Sequence, residues 1–341
     1  MTDTTPTNRQ WRLAARPHGL PVASDWEFRS EAIPSPGEGE LLVRVRFISL
    51  DPAMRGWMNE GRSYIPPVGI GEVMRALGAG EVVESRHPAF SAGDHVTGSF
   101  GVQAYALSDG SGVTRVSTDL APLTTYLSVL GMTGMTAYFG LLDIGKPVAG
   151  ETVVVSGAAG AVGMVVGQIA KIKGCRVVGI AGGPEKCRFI IDELGFDSAI
   201  DYKSEDVRIA LRERCPDRIN VYFDNVGGDV LDAALTRLAR HARIVICGSV
   251  SQYNNEGPAR GPANYMALLV DRARMEGFLV FDFAARYPEA GAEMAGWIAE
   301  GRLRSLEDVV TGLESFPNTL LRLFRGENFG KLILGVEDSV G

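Results

Sequence analysis

The stretch from Thr152 to Gly163, which reads TVVVSGAAGAVG, constrains the fold of this chain most strongly. It begins as an apolar run rich in β-branched residues, which is typical of a strand buried on both faces. Glycines follow at positions 157, 160 and 163, and Met164–Lys173 then has apolar residues at helical spacing. A strand, a glycine turn and a helix in this order predict the start of a dinucleotide-binding unit, although a plain turn of small residues would read similarly.

Each glycine has its own physical role in such a unit. Gly157 permits the tight turn, Gly160 lets the backbone approach a pyrophosphate, and Gly163 lets the helix pack close to the strand. The N-terminus of the helix then presents N–H groups and the positive end of its dipole to the anion. These roles make the glycine turn the predicted phosphate-binding element.

Composition indicates which classes of partner are not expected and in which cellular compartment the protein is expected. The 341 residues are 45% apolar and 22% charged with a net charge of −7, so we expect no nucleic-acid partner and no membrane partner. The cysteines, at positions 175, 187, 215 and 247, form no CxxC pair, which argues against a zinc ribbon or a disulfide framework. The N-terminal residues lack the apolar core of a signal peptide, and we expect a cytoplasmic protein.

The character of the sequence changes near Leu123. Before it, short strand candidates alternate with turns rich in glycine and proline, which is typical of a β-barrel-like domain. Beyond it, strands alternate with helices, which predicts an α/β fold with a doubly wound parallel sheet of the Rossmann type. The last strand candidate, Lys331–Val336, is expected to return to the first domain. The predicted division is residues 1–126 with 312–341 for the β-rich domain and residues 127–311 for the Rossmann domain.

Periodicity and turn residues also give element bounds. In the Rossmann domain the predicted strands are Thr152–Ser156, Arg176–Ala181, Ser198–Asp201, Asn220–Asp224, Arg243–Cys247 and Gly277–Phe281. The predicted helices between and after them are Val162–Lys173, Glu185–Leu194, Asp206–Arg214, Val230–Leu238, Ala290–Glu300 and Phe316–Arg325. In the first domain the first ten residues are polar and are expected to be loose. The predicted strands there include Trp11–Arg16, Phe28–Ile33 and Leu41–Ser49.

The end of the second Rossmann strand indicates which dinucleotide is bound. An NAD site normally has an acid there, about 20 residues past the glycine turn, which binds the ribose hydroxyls. Here the strand runs into Ala181-Gly182-Gly183, and no acid occupies that place. A 2′-phosphate would be attracted by Lys186, with Lys203 as a further cation. We therefore predict NADP(H) rather than NAD, although Lys186 alone would also read as a solvated charge in the first turn of a helix.

Several blocks of sequence, taken in order, resemble the medium-chain dehydrogenase/reductase superfamily. They are Leu130–Leu142 with Ile144-Gly145, Ser156–Gly163, Phe223–Gly228, Cys247–Asn254 and Gly326–Lys331, and Leu50–Met58 is similar to the family's DPxMR segment. Within the superfamily the chain resembles the zinc-independent alkenal double-bond reductases, the group of the leukotriene/prostaglandin reductases and the bacterial curcumin reductase. The resemblance implies a GroES-like barrel domain, and NADPH-dependent reduction of the carbon–carbon double bond of an α,β-unsaturated ketone or aldehyde, such as an alkenal or a 15-oxoprostaglandin-type enone.

The resemblance also implies which residues bind NADPH. Gly160 and Gly163 would hold the pyrophosphate, and Lys186 and Tyr202 would contact the 2′-phosphate. The backbone from Phe278 to Val280 would face the carboxamide, with Asn328 reaching back from the C-terminal segment. The full implied set is Thr133, Ala159, Gly160, Ala161, Val162, Gly163, Gly182, Lys186, Tyr202, Asn225, Cys247, Gly248, Ser249, Tyr253, Phe278, Leu279, Val280 and Asn328.

Two residues depart from the family's pattern. Ala53 stands where the family usually has an aromatic residue after DP, so the substrate pocket is expected to be wider there. Thr133 stands where many members have proline, which leaves an extra N–H and a hydroxyl near the nicotinamide.

The predicted chemistry uses no metal. A catalytic zinc needs three protein ligands, whereas the first domain has no cysteine and only the scattered His18, His87 and His95. Hydride addition to the β-carbon of an enone puts negative charge on the carbonyl oxygen, where a hydrogen-bond donor stabilises it. Tyr253 is the predicted donor, and Tyr64, in a loop rich in proline and glycine, is a second candidate. Either tyrosine could instead only pack, Tyr253 against the nicotinamide ribose, and solvent could supply the proton.

Two other functions stay open from the sequence. A quinone oxidoreductase of the same superfamily would also use NADPH without zinc, although the GENFGK and CGSVSQYN blocks favour the alkene reductases. A non-catalytic NADPH-binding protein would bind the coenzyme and turn over no enone. The family also implies a homodimer, formed through the edge of the coenzyme-domain sheet.

Overall fold

The computed structural model describes residues 6–257 and 260–337. The chain divides into a first unit, Met1–Leu127 with Glu307–Gly341, and a second unit, Ser128–Leu306. Each unit has a hydrophobic core of its own. Within the described part of the chain, every helix is too short or too polar to span a bilayer.

The N-terminal part of the first unit is made of short strands. Its elements are β1 (Thr7–Leu13), β2 (Trp26–Ala32), β3 (Leu41–Ser49), α1 (Ala53–Trp57), β4 (Gly78–Ser85), β5 (His95–Gly98), β6 (Tyr105–Ser108) and β7 (Thr114–Arg115). β1 and β2 form an antiparallel pair along their full length, from Thr7 opposite Ala32 to Leu13 opposite Trp26. The short strands and their turns agree with the predicted β-rich domain.

The expectation that the first ten residues are loose is wrong from Thr7 onward, because β1 starts there; residues 1–5 lie outside the described residues. Two polar side chains of this segment are buried and hydrogen-bonded. Asn8 is 5% exposed and accepts from the Tyr105 N–H at 2.9 Å, while Gln10 is 2% exposed and donates to Glu31 at 2.9 Å. A buried polar residue is stable when its hydrogen bonds are made, so polarity alone did not reveal this strand.

The second unit alternates strands and helices around one sheet. Its elements are α2 (Met132–Phe139), β8 (Thr152–Ser156), α3 (Ala161–Ile172), β9 (Arg176–Ala181), α4 (Pro184–Asp192), β10 (Ser198–Asp201), α5 (Val207–Arg214), β11 (Ile219–Asp224), α6 (Gly228–Leu235), β12 (Leu238–Ile246), α7 (Ala267–Val270), β13 (Arg274–Gly277) and α8 (Tyr287–Ala299). The strand order is β10-β9-β8-β11-β12-β13, and all pairs are parallel. This confirms the predicted doubly wound sheet, and every residue of the central strand β8 is buried.

The predicted strand Gly277–Phe281 is wrong. The sixth strand is β13, which ends at Gly277 and pairs with β12 from Arg243 to Ile246, and a 3₁₀ helix spans Val280–Arg286. β13 lies at the sheet edge and is mostly exposed, so its sequence RMEG has no need to be apolar. In the apolar run after it, Phe278 and Val280 pack inward: a Cβ on Gly140 would lie 2.5 Å from the ring of Phe278, and Val280 is 8% exposed, whereas the side chains of residues 279 and 281 are exposed.

The chain then re-enters the first unit through β14 (Glu307–Thr311), α9 (Phe316–Arg325) and β15 (Lys331–Gly335). β15 pairs in parallel with β14 and antiparallel with β3, so it returns to the first unit as expected and completes the sheet β14-β15-β3-β4-β5-β7, with β6 also on β3. The second segment of the first unit starts at Glu307. Lys331 is 1% exposed and joins the strand to the loop before α1 by an ion pair with Asp51 at 2.5 Å.

Candidate active site

The sheet order of the second unit defines where a ligand can enter. The chain leaves β8 towards β9 and β10 and then returns to the other side of β8 at β11, so the order reverses between β8 and β11. Open parallel sheets bind dinucleotides beyond the carboxyl ends of their strands at such a point. The residues at these two ends are Ser156 and Asp224.

The glycine turn lies directly after β8. Gly157 has a φ of +61°, which few other residues adopt, and the Gly160 N–H donates to the Gly157 carbonyl at 2.9 Å. A Cβ on Gly163 would lie 2.3 Å from the Gly157 carbonyl oxygen, so any side chain there would push α3 away from the turn. α3 begins at Ala161, and the N–H groups of its first turn therefore lie at the carboxyl end of β8.

This turn fits a dinucleotide phosphate. The first turn of α3 offers the backbone N–H groups of Ala161, Val162 and Gly163, whose side chains are no larger than that of valine, and the N-terminus of α3 adds the positive end of a helix dipole. The predicted residues Ala159, Gly160, Ala161, Val162 and Gly163 are thus together at one helix terminus.

A buried carboxylate organises the next turn. Asp224 is 1% exposed, and its Oδ1 accepts hydrogen bonds from the Ser156 hydroxyl at 2.9 Å, the Tyr222 hydroxyl at 3.1 Å, the Val226 N–H at 3.2 Å and the Gly227 N–H at 3.0 Å. Burial raises the pKa of Asp224 although these hydrogen bonds act to lower it. One side chain therefore fixes the end of β11, the turn after it and, through Ser156, the end of β8.

Asn225 closes the connection between β8 and β11. Its side-chain Nδ2 donates to the Ser156 carbonyl at 2.7 Å, and its N–H donates to the Ser156 hydroxyl oxygen at 2.9 Å. A Cβ on Gly157 would lie 3.5 Å from the Cβ of Asn225, so this residue lies against the glycine turn. The structure thus brings the predicted Asn225 beside the predicted phosphate-binding residues.

The loop after β12 is bound to the turn after β11. The N–H groups of Cys247 and Gly248 both donate to the Asp224 carbonyl, at 2.9 and 3.0 Å, and the Ser251 hydroxyl donates to the Val226 carbonyl at 2.6 Å. A Cβ on Gly227 would lie 2.1 Å from the Ser249 hydroxyl oxygen, so the two loops approach as closely as glycine allows. The turns after β8, β11 and β12 are therefore joined by hydrogen bonds into one continuous surface, which we call the groove wall.

Tyr253 lies at the end of this wall. Its hydroxyl oxygen accepts the Ser249 N–H at 3.2 Å, and a Cβ on Gly248 would lie 3.0 Å from the same oxygen. A hydroxyl that accepts one hydrogen bond becomes a better donor, because linked hydrogen bonds polarise one another. The predicted residues Gly248, Ser249 and Tyr253 thus form one local arrangement.

Cys247 has no reactive thiol. Burial, with the nearby Asp224 as a second cause, raises its pKa to about 12, so the thiol stays protonated at neutral pH. Since the thiolate is the nucleophilic form, Cys247 contributes to the groove by packing and through its backbone N–H.

The other end of the groove lies beyond β9. A Cβ on Gly182 would lie 2.8 to 2.9 Å from the ring and hydroxyl of Tyr202, so the tyrosine packs against this glycine. Tyr202 is 46% exposed, and Lys186 is half-buried in the first turn of α4. The structure brings Gly182 and Tyr202 together at the carboxyl ends of β9 and β10. Lys203, the further cation suggested by the sequence, is exposed in the turn after β10.

Two further sets of predicted residues lie in the second unit. The Thr133 hydroxyl donates to the Ser128 carbonyl at 3.0 Å, so its proton is used inside the protein. Phe278, Leu279 and Val280 follow β13 rather than forming it, and the Val280 carbonyl accepts the Tyr287 hydroxyl at 3.0 Å.

The remaining predicted residues belong to the first unit. Tyr64 is 50% exposed, and its hydroxyl accepts the Trp57 indole N–H at 3.2 Å. Asn328 is 8% exposed and donates to the Gly330 carbonyl at 2.9 Å. Ala53 is the first residue of α1 and is half-buried.

The sequence did not single out Ser156 or Asp224 as functional residues. Each is the polar last residue of an apolar strand and is almost fully buried. The sequence cannot show which hydrogen-bond partners such a residue has. Across residues 6–257 and 260–337, no group of three or more His, Cys, Asp or Glu side chains is arranged to hold a metal ion.

Asp224→Asn should change how stability depends on pH. The folded state raises the pKa of Asp224, so its charge destabilises the fold increasingly as pH rises from the unfolded value of about 3.9 through the folded value. The amide keeps an oxygen acceptor and carries no charge. We expect the thermal midpoint of the variant, relative to that of the unmodified protein, to rise as pH increases above about 4.

Asp197→Asn is the matched control. Burial acts to raise the pKa of Asp197, but the Lys171 ammonium and the Val177 N–H outweigh it and lower the pKa. Its charge therefore stabilises the fold above the unfolded pKa, and this stabilisation is lost as pH falls, so the control should shift in the opposite direction. A pH-independent difference for Asp224→Asn would contradict the placement of a disfavoured charge in this network.

Comparison with known proteins identifies the family. Residues 9–116 match the family described as N-terminal domain of oxidoreductase, and residues 161–296 match the family described as zinc-binding dehydrogenase. The NADPH-dependent curcumin reductase of Escherichia coli (strain K12) is 45% identical over 334 residues, which are 96% of this chain and 97% of that protein. The 2-alkenal reductase (NADP(+)-dependent) of Nicotiana tabacum is 41% identical over 337 residues, 97% of this chain and 98% of that protein.

A solved structure supports the same assignment. CurA from Vibrio vulnificus in complex with NADPH is 45% identical, with a TM-score of 0.92 and coverage of 97% of this chain and 99% of that chain. Both the sequence blocks and the two-unit fold are therefore shared over nearly the whole length. The chain belongs to the medium-chain dehydrogenase/reductase superfamily, in the group of the alkenal, prostaglandin and curcumin double-bond reductases.

Proposed function

We propose that this protein reduces the carbon–carbon double bond of α,β-unsaturated ketones and aldehydes with NADPH. One observation carries the proposal: relatives that are NADPH- or NADP-dependent reductases, one of them a 2-alkenal reductase, match nearly the entire chain. The intact glycine turn and the hydrogen-bonded groove of the second unit are what binding of such a coenzyme requires. The substrate class is thus an activated alkene conjugated to a carbonyl group.

We assign the coenzyme contacts to the second unit, with Asn328 of the first unit as the one exception among the assigned residues, and the substrate side to the β-rich first unit. When bound, NADPH supplies a hydride. The segment from Ala159 to Gly163 would hold the pyrophosphate, and Gly182, Lys186 and Tyr202 would hold the 2′-phosphate. The remaining coenzyme contacts are assigned to Thr133, Asn225, Cys247, Gly248, Ser249, Tyr253, Phe278, Leu279, Val280 and Asn328.

Tyr253 is assigned as the hydrogen-bond donor to the substrate's carbonyl oxygen. Charge develops on that oxygen when the β-carbon is reduced, and a preorganised donor is worth most where charge develops. The Ser249 N–H, 3.2 Å from the Tyr253 hydroxyl oxygen, orients and polarises this hydroxyl. Tyr64 is the second candidate, and the proton at the α-carbon can come from solvent.

We also propose that the reaction needs no zinc. The first unit contains no cysteine, since the four cysteines lie at positions 175, 187, 215 and 247. A zinc site built as in zinc-using relatives would need three ligands in that part of the chain. Hydride addition to a conjugated alkene needs only donors at the carbonyl oxygen, which the groove can offer.

Purified protein should oxidise NADPH in the presence of trans-2-alkenals and alkenones, and a chelator should not reduce the rate. NADH should be poorer by about tenfold or more, the loss expected when a charge-assisted contact to the 2′-phosphate is missing. A simple quinone, tested in parallel, distinguishes the alternative quinone oxidoreductase. Faster turnover of the quinone than of any enone, or tight NADPH binding with no turnover of either, would contradict the proposal.

Tyr253→Phe should reduce kcat for an enone more than it weakens NADPH binding. Removal of one donor to a developing oxyanion costs roughly a hundredfold in kcat. Tyr265→Phe is the control, because Tyr265 is 59% exposed and lies outside the groove wall. Unchanged kcat in Tyr253→Phe would remove this residue from the chemistry and shift the assignment to Tyr64 or solvent.

We further propose a cytoplasmic homodimer. The cysteines at positions 175, 187, 215 and 247 are free thiols, as is usual in a reducing compartment.

β13 is an edge strand, and in the chain just before it Met266, Leu269 and Val270 are 50%, 69% and 67% exposed, which favours a second copy at this edge. Light scattering should give twice the chain mass of 36.5 kDa; a monomer mass at micromolar concentration would contradict the dimer.

A further inference from the structure

The strand β9 does not end in an acid, but the neighbouring strand β10 places one, Asp201, beside its end. Asp201 is the last residue of β10 and pairs in register with Ala181, the last residue of β9. It is 9% exposed. Its Oδ1 accepts the Gly183 N–H at 2.7 Å and the Lys203 N–H at 3.0 Å, and its Oδ2 accepts the Ser204 hydroxyl at 2.9 Å. Both carboxylate oxygens are therefore bound within the protein.

The bond to Gly183 determines where α4 begins. Gly183 is the residue before α4 and has a φ of +97°, which glycine tolerates and other residues rarely adopt. Pro184 opens the helix, and Lys186 lies in its first turn. By holding the Gly183 N–H, Asp201 fixes the entry of the backbone into the turn that carries Lys186.

The bonds to Lys203 and Ser204 fix the opposite wall. They close the turn after β10, in which Tyr202 donates its N–H to the Ala181 carbonyl at 3.1 Å. The Tyr202 ring then packs against Gly182. A single carboxylate thus holds the two backbone segments on which Lys186 and Tyr202 stand.

The same hydrogen bonds keep Asp201 ionised. Burial acts to raise its pKa, but the N–H groups of Gly183 and Lys203, the Ser204 hydroxyl and the Lys203 charge outweigh burial and lower it, so the group is anionic at neutral pH. An anionic carboxylate at the end of the second strand would bind ribose hydroxyls in an NAD site. Here its acceptor capacity is used by backbone and serine donors instead.

We propose that Asp201 is a positioning residue that sets the preference for NADPH over NADH, because its carboxylate holds the turns bearing Lys186 and Tyr202 in place and is itself withheld from the ribose. This inference rests on the proposed use of NADPH. It assigns to Asp201 no contact with the coenzyme. Its effect is on the 2′-phosphate contacts alone, so the two coenzymes should respond differently to its loss.

The test compares the dissociation constants of NADPH and NADH, measured by titration of protein fluorescence. Asp201→Ala should weaken NADPH binding by about tenfold and NADH binding by less than about twofold. Asp201→Asn keeps an oxygen acceptor for the two N–H groups, so it should retain the NADPH preference within about twofold. The ratio of kcat/KM for the two coenzymes should follow the same pattern.

Asp197→Ala is the matched control. Asp197 precedes β10 and accepts the Val177 N–H at 2.7 Å, so it makes the same kind of bond between the β10 and β9 segments at the opposite, amino-terminal end of these two strands. Its loss should lower the thermal midpoint and leave the ratio of the dissociation constants unchanged. Equal weakening for both coenzymes in Asp201→Ala, or no weakening for either, would overturn the inference.

Asp201→Asn carries the test if the alanine variant does not fold. A loss of NADPH preference in this variant would show that the charge, rather than the hydrogen bonding, sets the preference, and would also overturn the inference. Failure of the proposed function is distinguishable, because it would appear in the unmodified protein as a lack of NADPH preference or of enone turnover.

Discussion

The hydrogen bonds of the buried Asp224 carboxylate are the interaction on which the groove depends. They join the ends of β8 and β11, the two strands between which the sheet order reverses, through Ser156 and the backbone of the following turn. The Asp224 carbonyl extends the connection to the loop after β12. Without these hydrogen bonds, the three loops at the carboxyl ends of β8, β11 and β12 would be independent segments. With these bonds, they form one surface that carries Tyr253.

The buried Asp224 carboxylate lowers the stability of the folded state and holds the loops in fixed positions. A carboxylate that is almost fully buried is costly, and hydrogen bonds repay only part of that cost. The cost is retained at the point where the groove needs a rigid wall, which is where strained or disfavoured groups are expected in enzymes. Asp201 differs at the other end of the groove, because its three hydrogen bonds and the Lys203 charge outweigh burial and lower its pKa, so its charge is favoured in the folded state.

The sequence predicted the central sheet well because its strands are apolar and bounded by turn residues. Thr152–Ser156 and Arg176–Ala181 agree with the structure to the residue. Strand prediction failed where an exposed strand is polar and where a strand buries polar residues. The edge strand β13 is exposed and polar, and β1 buries Asn8 and Gln10 with their hydrogen bonds made. Asp201 was missed because its role depends on strand pairing, which brings it beside Ala181 from about 20 residues away.

The central claim is that this chain directs a hydride from NADPH to the β-carbon of a conjugated alkene. The most direct measurement is to supply NADPH deuterated at the transferring position together with an alkenone, and to locate the deuterium in the product by NMR. The account predicts a saturated ketone with one deuterium on the β-carbon. Deuterium on the carbonyl carbon of an unsaturated alcohol, or a product with no deuterium, would contradict it.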